Sequence, residues 1–174
     1  MSKRYLIIGG SLIEGVGQEI RQTTGHAAHE ICRKATPIGH KVDEKVVRLI
    51  KNNWWDHVIL QPWRYDFRES WRVPNKYGVA VNRLALSINR VHSKSEDFLL
   101  IKPWLPDPDI ADQLDCDTKY GLLGDVLGFK TLHVSPSEEE MDSTGHLVSN
   151  GTRNLAHTIL TRTNGHPVDK EKAA

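Results

Sequence analysis

The chain has 174 residues, 39% of them hydrophobic and 26% charged, with a formal net charge of +1. That length suits a single domain with its own core, and the near-zero charge argues against a nucleic-acid partner held by bulk electrostatics. No apolar run is long enough to span a bilayer, and the two cysteines, Cys32 and Cys116, read as buried thiols rather than a disulfide framework.

The first predicted element is a strand at Tyr5–Ile8, an apolar run stopped by Gly9-Gly10 and followed by Ser11. Its start by residue 5 leaves no room for a signal peptide, so a cytoplasmic location is the default expectation. His26, His29 and Glu30 have metal-ligand spacing, but they read as solvated positions of a polar helix, and no metal or cofactor is expected. A short strand at Lys34–Thr36 is weakly marked. Val42, Val46, Leu49 and Ile50 then share a helical stripe, with Asp43 and Glu44 near the helix start.

Further strands are expected at His57–Leu60, Phe98–Ile101 and Thr131–Val134. Runs without polar alternation suit strands covered on both faces. Between them, Val81 to Val91 and Tyr120 to Leu127 carry helical spacing, the second closed by Gly128. Leu155, Ala156, Ile159 and Leu160 mark a last helix, with Ser149 or Asn150 as its cap. The alternation predicts a three-layer α/β/α sandwich with a mostly parallel sheet over residues 1–165 and a polar tail at 166–174.

Open α/β sheets bind ligands at the carboxyl ends of their strands. Ser11 follows the first strand there, either as a nucleophile or as a cap for the next helix. A nucleophilic serine needs a base. His146, in the loop before the last helix, can share that edge, and His133 is the second candidate. Asp142 lies near enough in sequence to orient the His146 ring. Gly39 and Gln61 are candidate oxyanion donors, one through its backbone N–H and the other through its side-chain amide. Trp63, Arg64 and Tyr65, with Trp71, Arg72 and Trp104, are placed to meet substrate. Aromatic faces there suit a sugar, and the arginines suit an acidic group. Trp54 and Trp55 precede their strand and belong to the opposite edge.

Ile7-Ile8-Gly9-Gly10-Ser11-Leu12 with Glu14-Gly15, and His146-Leu147 with Asn150-Gly151, resemble the opening and closing boxes of the SGNH hydrolase superfamily of GDSL-like esterases and lipases. Asp56 to Gln61 resembles the third strand of a subgroup with glutamine at that point. The resemblance implies a flavodoxin-like architecture and a serine esterase with Ser11, His146 and Asp142 as triad. It implies Ser11, Gly39 and Gln61 as oxyanion hole, no cofactor, and a small-molecule or glycan ester as substrate. Neither nucleic acid nor membrane is an expected partner, and the oligomeric state is left open.

Three departures stand out. Gly10 occupies the position of the family's aspartate, and Gln61-Pro62-Trp63-Arg64 replaces its Gly-x-Asn-Asp segment. Asp142 precedes His146 by four residues rather than three, with Ser143 in the usual place. A Ser–His dyad assisted by a backbone carbonyl is therefore a variant of the same mechanism. Two readings compete with the esterase. One is a non-catalytic binding or assembly module on the same scaffold. The other is a phosphate or nucleotide binder using the glycine-rich run Gly9 to Gly17, which lacks both the dinucleotide fingerprint and the P-loop lysine.

Overall fold

A computed structural model describes residues 1–32, 53–61, 95–102, 104, 125 and 130–164. Strands β1 (Arg4–Gly9), β2 (Ala27–Cys32), β3 (Trp55–Leu60), β4 (Ser95–Ile101) and β5 (Lys130–Leu132) form one sheet in the order β2-β1-β3-β4-β5. Every pairing is parallel. On one side β1 runs from Arg4 opposite Ala27 to Gly9 opposite Cys32, and on the other from Tyr5 opposite His57 to Ile8 opposite Leu60.

The sheet is apolar on both faces because successive side chains point to opposite sides of a strand. Tyr5, Ile7, Ile59, Leu99 and Ile101 pack in one cluster with helices α1 (Val16–Thr24) and α2 (Ser149–Arg162), which contribute Val16, Ile20, Leu155, Ala156, Ile159 and Leu160. The alternate residues Leu6, Ile8, Val58, Leu60 and Leu100 are buried as well. Truncating a fully enclosed side chain such as Ile59 to alanine costs about 2–5 kcal/mol through lost transfer energy and the cavity left behind. The expected α/β architecture with a parallel sheet is therefore observed. No helix among the described residues is long and apolar enough to cross a membrane.

Four expectations need correction. Residues 26–30 do not form a polar helix; Ala27–Cys32 is the edge strand β2. An edge strand pairs on one side only, and its ladder with β1 needs no apolar run of its own. Glu30 uses its carboxylate to cap α1, accepting from the N–H groups of Gly15 at 2.6 Å and Gly17 at 3.2 Å. An acid at a helix N-terminus satisfies open donors and matches the dipole. The cap of α2 is the backbone of Val148, with Ser149 already inside the helix. The last strand ends at Leu132 rather than Val134, and Cys32 is half-buried. The expected elements at 34–36, 42–50 and 81–91, together with Cys116, Gly128 and the tail, lie outside the described residues. Of the helix expected between Tyr120 and Leu127, Asp125 alone is described, and it is helical.

Candidate active site

The order β2-β1-β3 means the chain leaves β1 toward one side of the sheet and later continues on the other. The carboxyl ends of β1 and β3 therefore flank a topological switch point, where such sheets form a crevice. Ser11 sits just past β1 and opens a short 3-10 turn, Ser11–Ile13. Leu12 and Ile13 anchor that turn in the core. Gly9 is required beneath it: an added Cβ would overlap the side chain of Ile13 and stand 3.3 Å from Cβ of Gln61. Ser11 does not cap α1, whose cap residue is Gly15. Its hydroxyl is instead 2.8 Å from Nε2 of His146.

His146 is brought there by a tight loop. An antiparallel bridge between Met141 and Leu147 closes the loop, and Asp142 N–H donates to the His146 carbonyl at 2.8 Å. Gly145 turns the chain with φ +81°, a left-handed conformation that glycine adopts without a Cβ penalty. Two supports fix the loop from outside. Trp104, buried just after β4, donates its indole Nε1–H to the Gly145 carbonyl at 2.8 Å. Below the loop, the turn Glu138–Glu140 is closed by a reciprocal capping box between Ser137 and Glu140. Asn150 and Asn154 of α2 donate to the Glu139 carbonyl and the Glu140 carboxylate. The loop is thus pinned to the sheet by one residue and to α2 by several.

The carboxylate of Asp142 lies beside the imidazole without pairing with it directly. Its Oδ1 is 4.0 Å from His146 Nδ1, beyond hydrogen-bond reach. The same oxygen accepts from Thr144 Oγ1 at 2.6 Å, Thr144 N–H at 2.8 Å and His146 N–H at 3.0 Å. The side-chain bond from Thr144, then the backbone bond from Thr144, hold the Asp142 carboxyl below the usual carboxylate range, with smaller help from His146. Thr144 Oγ1 is also 2.7 Å from His146 Nδ1. Three hydrogen bonds therefore join Ser11, His146, Thr144 and Asp142 into one chain.

Gln61 follows β3 with its N–H on the Ile8 carbonyl at 2.9 Å, so it stands beside the end of β1. It is fully buried, and neither its side-chain oxygen nor its nitrogen has a hydrogen-bond partner among the described residues. A buried amide left without partners costs about 1–3 kcal/mol, so its retention asks for a reason. Gly39 and the cluster Trp63, Arg64, Tyr65, Trp71 and Arg72 lie outside the described residues. Trp104 is 6% exposed, which makes it a support for the histidine loop rather than an open stacking face. His146, not His133, is the imidazole on Ser11. Trp55 is buried in β3, while Trp54 is exposed ahead of it.

Sequence reading missed Thr144 and the holding role of Trp104. A threonine between an aspartate and a histidine in a polar loop carries no signal of its own. The tight loop alone places its hydroxyl between them.

No protein-family model matches the sequence, and no curated protein matches it either. Solved structures do. A catalytic mutant of Axe2, an acetylxylan esterase from Geobacillus stearothermophilus, superposes with a TM-score of 0.68 at 9% identity, covering 97% of both chains. The acetyl xylan esterase AlAXEase gives a TM-score of 0.71 at 11% identity over 91% of this chain and 98% of its own. The salicylyl-acyltransferase SsfX3 of a tetracycline biosynthetic pathway gives 0.65 at 12% identity, over 95% of this chain and 55% of its own. The five-stranded parallel sheet with its helices is thus the fold of the acetylxylan esterases, in agreement with the SGNH-type architecture that the opening and closing boxes resemble.

Proposed function

We propose that this protein is a serine esterase that works through an acyl-enzyme. The hydrogen bond of 2.8 Å between Ser11 Oγ and His146 Nε2, at the carboxyl edge of the sheet, carries the reading. Nucleophile and base within such reach are the geometric requirement for this chemistry. The ring nitrogen takes the hydroxyl proton as Ser11 Oγ attacks the ester carbonyl. The same proton passes to the departing alkoxide, leaving an acyl group on Ser11. Water, deprotonated by His146, then attacks the acyl carbon; the bond to Ser11 Oγ breaks, the acid leaves, and His146 returns the proton to Ser11 Oγ.

The negative oxygen formed at each attack needs donors. Ser11 N–H lies at the start of its turn, where backbone donors have no partner within the turn. Gly39 N–H and the amide of Gln61 are the other two donors in this scheme. The side chain of Gln61 supports its part: a buried amide with no hydrogen-bond partner among the described residues is available to a charge that appears only during reaction. Asp142 holds the negative charge that favours the imidazolium.

The substrate proposed is an O-acyl group on a carbohydrate. The fold shared with acetylxylan esterases supports it, and so does the run of aromatic and cationic residues Trp63, Arg64 and Tyr65 that follows Gln61 in the sequence. Catalytic mutants of Axe2 replace a serine and a histidine, the pair of residue types that meet here. Acetate release from an acetylated xylo-oligosaccharide, measured against a simple aryl acetate, tests the proposal. Turnover of both with preference for the sugar is expected. Turnover of the aryl ester alone removes the carbohydrate, and turnover of neither by the folded protein leaves a binding module as the reading.

Gln61→Leu separates the two roles of that residue. It removes an unsatisfied buried amide, so thermal stability should be unchanged or higher. It also removes an oxyanion donor, so kcat should fall by about a hundredfold to a thousandfold. Unchanged kcat in this variant would take Gln61 out of the oxyanion hole.

A further inference from the structure

Asp142 and His146 are the expected acid and imidazole, yet the 4.0 Å between Asp142 Oδ1 and His146 Nδ1 leaves the ring nitrogen without a bond to that oxygen. Thr144 Oγ1 stands within hydrogen-bond distance of both, at 2.6 Å from Asp142 Oδ1 and 2.7 Å from His146 Nδ1. A hydroxyl has one hydrogen to give and lone pairs to accept with. A carboxylate can only accept, so the threonine hydrogen must point to Asp142. The lone pairs of Thr144 then face Nδ1, which must itself carry a hydrogen. In a neutral imidazole that leaves Nε2 bare, facing the Ser11 hydroxyl at 2.8 Å.

We propose that Thr144 is a positioning residue that relays the Asp142 carboxylate to His146, fixing the imidazole as the Nδ1–H tautomer with its Nε2 lone pair on Ser11. The hydrogen bonds all run one way, from Ser11 through His146 and Thr144 to Asp142. The opposite polarity would set the lone pairs of Thr144 and Asp142 against each other unless Asp142 were protonated. Its three donors, the Thr144 hydroxyl first, favour the ionised form. Between acid and base the chain makes a turn, with Gly145 N–H on the Asp142 carbonyl at 2.9 Å, and the threonine hydroxyl fills the gap between carboxylate and ring. When the imidazolium forms, its Nδ1–H is polarised toward the carboxylate through Thr144 without any proton leaving the ring.

The catalytic consequence rests on the esterase reading; the hydrogen-bond chain does not. The test therefore has two readouts on the full-length protein. One is the side-chain 15N spectrum of His146, which distinguishes the two tautomers. The other is aryl acetate hydrolysis. Thr144→Val keeps the shape and the backbone bond to Asp142 but removes the relay, while Thr144→Ser keeps the hydroxyl. The wild-type protein should show the Nδ1–H tautomer. Thr144→Val should shift it toward a mixture and lower kcat about 10-fold to 100-fold at unchanged KM, the range typical for partners that orient a functional histidine. Thr144→Ser should restore both. A Thr144→Val protein with wild-type tautomer and rate overturns the relay and leaves the esterase standing. A tautomer that depends on Thr144 in a protein without hydrolysis upholds the relay and removes the esterase.

Discussion

Replacing Ser11 by alanine should lower ester turnover by about ten-thousand-fold or more while leaving the protein folded. The size follows from losing the nucleophile of an acyl-transfer centre, where the remaining donors and binding contacts supply only residual catalysis. The fold should survive because Ser11 is half-buried and its hydroxyl bonds to His146 on a supported loop. The hold of this turn on the core comes from Leu12 and Ile13, which the substitution leaves alone. One partly exposed hydrogen bond contributes only about 0.5–1.5 kcal/mol. The check is kcat/KM on an aryl acetate beside a thermal unfolding curve. A variant with wild-type turnover would show that Ser11 attacks nothing.

Gly151→Ala should do the reverse, acting on the scaffold first and on catalysis as a consequence. Gly151 lies in the first turn of α2, pressed against the residues that lead into the histidine loop. An added Cβ would overlap the backbone oxygen of Glu140 and stand 3.0 Å from both Glu140 Cβ and Leu147 Cδ2. A backbone oxygen cannot rotate aside, so the helix and the 138–148 segment must separate. Overpacking of this kind costs about 1–3 kcal/mol, and each kcal/mol lowers Tm by about 2–4 °C in a chain of this size. Because Leu147 adjoins His146, the displacement should also open the bond to Ser11. A misplacement near 1 Å can cost about a hundredfold in rate. Wild-type Tm and kcat together would mean that the helix and the loop leave room for a Cβ at residue 151.

The two expectations differ in how far the sequence could have foreseen them. Ser11 was legible because an apolar strand, two glycines and a serine state a local pattern, and because β1 is enclosed on both faces and so reads as a continuous apolar run. β3 and β4 were legible for the same reason. β2 was not: Ala27, Ala28, His29 and Glu30 lie at a sheet edge, and their order comes from the β1 ladder rather than from their own burial. Gly151 was visible as part of the closing box, but its need to be glycine comes from Glu140, eleven residues earlier, and becomes visible only once helix and loop are packed. Thr144 and Trp104 belong to the same class. Their roles depend on where a carbonyl or a ring nitrogen of another segment arrives, and no composition or periodicity reports that.

The site's electrostatics follow the same division. The sequence offered an acid four residues ahead of a histidine, a spacing from which direct pairing was expected. The structure shows the acid satisfied by a threonine hydroxyl and two backbone N–H groups, with the imidazole one bond further on. A carboxylate oxygen that already accepts three hydrogen bonds is a poor partner for a second rigid group but a good anchor for the loop that carries His146.

The most direct test is a fluorophosphonate probe followed by peptide mapping, since phosphonylation requires a hydroxyl activated by a neighbouring base. Stoichiometric labelling of Ser11 in the wild-type protein, lost in His146→Ala, is the expected result. A folded wild-type protein that stays unlabelled, or that takes the label on another residue, would contradict the assignment of Ser11 and His146 as nucleophile and base.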